Sequence, residues 1–144
     1  MREIGYSLQW RLLQASDFGV PQLRPRVIAV GFRDDIEAPF EYPQPLSEAA
    51  PTVGQALEDL MVAHGWQGAK DWARRADRIA PTLVGGSKKH GGPDLGPTRA
   101  RRAWAELGVN GSTIAPAPPD PDFEGDPRLT VRMAPASRVS LTIG

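Results

Sequence analysis

YSLQWRLLQASDFGVPQLRPRVIAVGF, residues 6–32, decides the fold. Over 6–13, Tyr6, Leu8, Trp10 and Leu12 alternate with Ser7, Gln9 and Arg11. That period of two is a strand with one apolar side. Residues 26–32 are rich in β-branched side chains and nearly all apolar, which reads as a buried strand. Between them Gly19, Pro21 and Pro25 mark a loop over 16–25. The unit is therefore strand, loop, strand, with Gln22, Arg24 and Arg26 presented by the loop. Two arginines at i and i+2 of an extended segment share a side, and Pro25 stiffens the spacer. Such a pair clamps a phosphate or hydrogen-bonds the carbonyls of a strained loop. On residues alone, a plain surface pair explains it equally well.

Outward from this unit, residues 34–52 are acidic and proline-rich, an extended connector. Thr52 is placed to cap a helix from Val53 to about Ala63, with Leu57, Leu60 and Met61 on one face and Gly65 as its stop. Residues 69–79 suit a second helix with Trp72, Ala76 and Ile79 inward. Residues 80–98 form a glycine-rich loop carrying Ser87, Lys88, Lys89 and His90, and 99–107 a short basic helix with Arg99, Arg101 and Arg102. The Pro/Asp-rich stretch 109–127 is expected to be mobile, and 128–133 to begin a strand or helix.

Composition bounds the chemistry. The 144 residues amount to one ordinary domain, and 40% hydrophobic content argues against plain disorder. Fifteen Gly and fifteen Pro predict long irregular stretches. There is no cysteine, which excludes disulfides, thiolate metal sites and a cysteine nucleophile. No run of 18 apolar residues exists and the N-terminus lacks an apolar signal core. A cytoplasmic protein with no membrane partner is expected.

The 17 basic and 17 acidic residues are segregated. Residues 34–69 hold seven acidic side chains and no Lys or Arg, whereas 70–102 hold nine Lys and Arg against three acidic ones. A basic block of that density neutralises phosphates, or simply pairs with the acidic block. Gly85-Gly86-Ser87-Lys88-Lys89-His90-Gly91-Gly92 lacks the nucleotide P-loop spacing. Its glycines allow close backbone approach to another surface, with the lysines on phosphates and Ser87 or His90 on a base edge. An exposed flexible loop is the competing reading. His64 and His90 are not at metal-ligand spacing, and His64 suits a helix terminus. No metal site is expected.

Residues 5–10 (GYSLQW) and 13–31 (LQASDFGVPQLRPRVIAVG) together resemble the bacterial DNA (cytosine-5)-methyltransferases, through the stretch that ends in that family's Q-x-R-x-R motif. Residues 81–102 look like the target-recognition region of one subgroup, and Arg128-Leu129-Thr130-Val131-Arg132 resembles the start of the next motif. The resemblance covers residues 4–134. It implies an α/β fragment: the last strands of a Rossmann-like methyltransferase sheet plus an irregular, glycine-rich target-recognition region. By that resemblance 1–33 belong to the C-terminal part of the catalytic domain, 34–127 to target recognition, and 128–134 return to the catalytic domain.

The resemblance also assigns Gln22, Arg24 and Arg26 to holding a flipped cytosine and its backbone, in support of a nucleophile this chain lacks. Ser87, Lys88, Lys89, His90, Arg99, Arg101 and Arg102 become candidate DNA contacts. The partner implied is double-stranded DNA. The family's F-x-G-x-G cofactor motif, Pro-Cys motif and Glu-Asn-Val motif are absent. S-adenosylmethionine is therefore expected to serve the intact family enzyme and not to bind this chain alone.

After Ala134 the family expects a segment like Ala-Arg-Ile-Gln-Gly-Phe-Pro-Asp-Asp-Trp. One set of codons for that segment, read one base on, encodes Pro-Ala-Ser-Arg-Val-Ser-Leu-Thr-Ile-Gly, which is residues 135–144. An out-of-frame tail is the expectation, and the gene's nucleotide sequence checks it. Three functions follow: an inactive fragment of a restriction–modification methyltransferase, the recognition subunit of a split enzyme whose other chain carries the N-terminal motifs, or a non-enzymatic DNA-binding module. A two-stranded hairpin is weak alone, so the isolated chain is expected to be marginally stable.

Overall fold

A computed structural model describes residues 4–37, 39–84, 94–130 and 133. The expected tail at 135–144 lies outside them. The elements in chain order are β1 (Tyr6–Gln14), β2 (Pro25–Arg33), α1 (Val53–Met61), α2 (Ala69–Arg75) and α3 (Thr98–Ala105). Short 3-10 turns follow β1 (Ala15–Phe18) and α1 (Val62–His64).

β1 and β2 form a two-stranded antiparallel sheet running from Tyr6↔Arg33 to Gln14↔Pro25. The register places Tyr6, Leu8, Trp10 and Leu12 on one face with Val27, Ala29 and Gly31. The alternation is as expected, but β2 is not buried. Val27 is 63% exposed and Ile28 41%, and across the sheet Trp10 is 68% exposed. A sheet of two strands has no neighbours to bury its faces. The opposite face is partly covered by the acidic connector. Phe40 packs on Phe32, Tyr42 meets Phe40 edge-on at 4.9 Å, and the Arg11 guanidinium lies over the Tyr42 ring. The Tyr42 hydroxyl sits 2.9 Å from the Ile28 carbonyl and 3.1 Å from that of Gln9, sharing one proton between two acceptors.

The core lies elsewhere, among short helices and loops between Val53 and Met133. Trp66, Trp72 and Trp104 are all buried there, with Met61, Leu95, Leu107, Val109 and Leu129. α1 begins with the expected cap. The Thr52 hydroxyl accepts from the Gln55 N–H, and the Gln55 side chain accepts from the Thr52 N–H. Thr52→Ala is expected to cost about 1 kcal/mol, read as a lowered urea midpoint. Gly65 stops the helix in the left-handed region at φ +85°.

The buried face of α1 is Val53, Gly54, Leu57 and Met61, which leaves Leu60 38% exposed rather than inward. The face is turned toward Gly54 because that glycine meets α2. A Cβ there would lie 2.0 Å from the Ala73 carbonyl oxygen. α2 stops at Arg75, short of the expected 79. Beyond it the Ala76 and Arg78 carbonyls accept from Gly54 and Val53, satisfying first-turn donors of α1 instead of extending α2. Trp72 and Ala76 are buried as expected, while Ile79 is half-buried.

The Pro/Asp-rich stretch after α3 is fastened, not free. Asn110 N–H donates to Pro127, Ala115 to Leu129, and Ala115 bridges Thr130. The Trp66 indole donates to the Phe123 carbonyl at 2.9 Å with the two rings edge-on. Indole donors and apolar side chains anchor this segment where its composition alone predicts mobility. Residue 130 forms the single bridge to Ala115 and no longer strand is described there. Among the described residues no helix is long and apolar enough to cross a membrane.

Candidate nucleic-acid interface

The loop after β1 descends from the sheet onto the helical half. Gly19 turns it at φ +80°, and the Leu46 side chain closes on that glycine. Gln22 and Ala80 then form a parallel bridge. The Leu23 N–H donates to Ala80 at 2.8 Å, and the Ala80 N–H donates to Pro21 at 3.0 Å. The Thr82 hydroxyl donates to the Leu23 carbonyl. The Q-x-R-x-R segment is thus stitched to the strand-like run 80–83.

The two arginines end on different partners. Half-buried Arg24 donates through Nη1 to the Leu83 carbonyl at 3.3 Å. Arg26, exposed on β2, donates to its neighbour Pro25 at 2.7 Å. The two guanidinium groups thus reach different carbonyls. The Arg24 contact is of the loop-carbonyl kind.

Gln22 and Arg24 line a cavity of about 330 Å³ with Val53, Leu57, Leu83 and Trp104 of the helical half. The buried Trp104 indole N–H has no hydrogen-bond partner among the described residues. Sequence reasoning missed Trp104 as part of this site. Its position after the basic run of α3 is the sole signal, and it reads equally as core. Among the described residues the cavity wall carries an arginine and no carboxylate. It is therefore a poor fit for S-adenosylmethionine, whose cationic ammonium and ribose hydroxyls call for carboxylate partners.

α3 carries Arg99, Arg101 and Arg102 around its Trp104 anchor. Arg99 and Arg102 are exposed and Arg101 is half-buried, 3.5 Å from the Thr98 hydroxyl. Among the described residues none of the three is ion-paired. The α2 arginines of the same basic block are paired: Arg74 with Asp71, Arg75 with Asp126 at 3.1 Å and, beyond the helix, Arg78 with Glu106 at 3.5 Å. Among the described residues the arginines of the block therefore divide into three that are paired and three on α3 that are not. These exposed pairs add little stability. The cavity places α3 beside Gln22 and Arg24, while Arg26 stays apart on the sheet. Ser87, Lys88, Lys89 and His90 lie outside the described residues. Among the described residues no cluster of His, Cys, Asp or Glu suits a metal ion.

The structure thus joins a two-stranded sheet, a Q-x-R-x-R segment fastened to a helical unit and an arginine-bearing helix. The family model for C-5 cytosine-specific DNA methylase matches residues 1–108, and the chain belongs to that family. It is 58% identical over 135 residues to Type II methyltransferase M.NaeI of Lentzea aerocolonigenes, an overlap of 92% of this chain and 32% of the relative. It is 42% identical over 134 residues to Type II methyltransferase M.NgoMIV of Neisseria gonorrhoeae, covering 91% of this chain and 42% of that one. The chain thus spans about a third to two fifths of the length of these curated relatives. No solved structure gives a comparable match.

Proposed function

We propose that this chain is the Q-x-R-x-R and target-recognition portion of a DNA (cytosine-5)-methyltransferase of a restriction–modification system, and that it is inactive alone. The carrying observation is the coincidence of family membership with a complete absence of cysteine. The family reaction needs a thiolate to attack C6 of a flipped cytosine before C5 can be methylated. S-adenosylmethionine supplies the methyl group in the whole enzyme. This chain's own part is to bind and orient DNA. The unpaired α3 arginines and exposed Arg26 are suited to phosphates. The names of the two relatives support the Type II assignment.

A split-enzyme reading is the alternative, and the hairpin is the surface it would use. The face formed by Tyr6, Leu8, Trp10, Leu12 and Val27 is apolar and 40–68% exposed, whereas the helical half has a closed core. A contiguous apolar face of this kind marks an interaction surface. The portion of the family's catalytic domain carrying the cofactor and Pro-Cys motifs, on a second chain in this reading, is what would cover it.

The test is methyl transfer from labelled S-adenosylmethionine to mixed-sequence duplex DNA, with the chain alone and with a chain carrying those motifs. No transfer is expected alone, and transfer is expected with the partner. Transfer by the 144-residue chain alone overturns the inactive assignment, and silence in both leaves the remnant reading.

A further inference from the structure

The cavity of about 330 Å³ opens where the loop after β1 meets the helical half. Val53, Leu57, Ala80, Trp104, Leu129 and Met133 wall it on the helical side, each at most 7% exposed. Val20 and Pro21 of the loop add to the apolar lining. Protein interiors hold few voids larger than a water molecule. This one is more than twice the size of an apolar cavity of roughly 150 Å³ that takes benzene, and it reaches the lower end of drug-sized ligand sites, about 300–1,000 Å³. Its size therefore suits two aromatic rings better than one.

The polar content of the helical wall is sparse. Trp104 is 2% exposed, and its indole N–H has no partner among the described residues. Trp66 and Trp72, buried in the same core, each give theirs to a carbonyl at 2.9 Å. A buried indole ordinarily finds an acceptor, and leaving the donor unmatched costs stability. Water suits the spot poorly, because it needs about two to four polar partners and the helical wall offers the indole alone. What fits is an apolar molecule with one acceptor. Gln22 and Arg24 also border the cavity, and Arg24 is engaged at the Leu83 carbonyl. No ligand contact is assigned to either.

We propose that this cavity is a binding site for a small two-ring aromatic molecule bearing a carbonyl acceptor, with Trp104 as its hydrogen-bond donor. Neither the cavity nor the indole depends on the proposed function. Because Val20 and Pro21 share the lining with the helical core, an occupant joins the two and stabilises the fold by mass action. Trp104 is also the buried residue of α3, so an occupant bears on the helix that presents Arg101 and Arg102.

Benzophenone and diphenylmethane test the site on the full chain without DNA. They share two rings and differ in the carbonyl that replaces a methylene. Benzophenone is expected to bind about fivefold more tightly, the worth of one net hydrogen bond. In a nitrogen–proton correlation spectrum it is expected to move the Trp104 indole signal and to leave those of Trp66 and Trp72, whose protons are already given to carbonyls. Trp104→Phe keeps an aromatic wall and loses the donor, so benzophenone falls to the affinity of diphenylmethane, which itself is unchanged. The Trp66 and Trp72 signals at their parental positions show that this variant is folded. Leu83→Phe narrows the cavity and is expected to weaken both probes, and the comparison of the two probes on the parent chain needs no variant at all. Equal affinities, no binding by either probe, or a Trp104 signal that ignores benzophenone overturns the proposal. A shift confined to Trp10 places the probe on the bare hairpin face and overturns it as well.

Discussion

Trp72→Ala is expected to remove about 3–5 kcal/mol of stability, the cost of truncating a fully buried tryptophan. Trp72 is 1% exposed, and its indole donates to the Gly108 carbonyl at 2.9 Å. Gly108 is held at φ +64°, where the chain leaves α3 and turns into the segment carrying Val109. The side chain therefore does two things at once. It fills the space between α2 and the turn after α3, and it satisfies a carbonyl at the end of α3. Trp72→Phe keeps most of the volume and loses the donor, so a smaller loss of about 1–3 kcal/mol is expected for an acceptor left unsatisfied. Domains of this size carry about 5–15 kcal/mol in total, so the alanine variant sits close to unfolding. Urea titration followed by far-ultraviolet circular dichroism measures both. Midpoints that stay at the parental value would show that the α2–Gly108 contact is not part of the cooperative core.

Gly54→Ala is the second large effect, and its sign is the informative part. By helix propensity alone, alanine in place of glycine inside α1 stabilises by about 1 kcal/mol. The structure reverses that expectation. A Cβ at position 54 would sit 2.0 Å from the Ala73 carbonyl oxygen and under 3 Å from the Ala73 backbone carbons. Backbone cannot rotate away as a long side chain can, so α1 and α2 must separate. That separation also stretches the Gly54 N–H to Ala76 and Val53 N–H to Arg78 hydrogen bonds. Overpacking of this kind costs about 1–3 kcal/mol or more, and the backbone contact puts Gly54→Ala at the upper end. The variant is expected to melt at lower urea than the parent, with α1 and α2 amides losing exchange protection first. A midpoint equal to or above the parent's would mean the helices do not cross this closely.

The proposed DNA role rests on the division of the basic block. Charge counting treats all arginines of 70–102 alike. The structure pairs Arg74, Arg75 and Arg78 with nearby carboxylates, and leaves Arg99, Arg101 and Arg102 on α3 unpaired among the described residues. Glu106 and Asp126 pair with Arg78 and Arg75, while Glu106 caps α3 and Asp126 shares a groove with Arg101 and Arg102. The bare face of the hairpin is a separate, apolar surface.

What the sequence determined by itself was local or carried by motif. The period of two in 6–13 placed β1, the Thr52/Gln55 spacing placed the start of α1, and Gly65 placed its end, because each depends on residues within a turn of one another. Family membership was equally legible, since the run from Gly5 to Gly31 with its Gln22, Arg24 and Arg26 is long and specific. The tertiary structure decided what depends on distant partners. An apolar strand such as 26–32 reads as buried, yet its burial requires neighbouring strands, and here β2 pairs with β1 alone. The stretch 109–127 reads as mobile from its prolines and acids, yet Trp66 and the backbone of Leu129 hold it through contacts remote in sequence. Gly54 and Arg24 show the same limit most clearly. One is a glycine because of a carbonyl on another helix, and the other reaches a carbonyl 59 residues away. Neither partner leaves a trace in local periodicity, because close approach and side-chain reach are settled only when the helices and loops have packed.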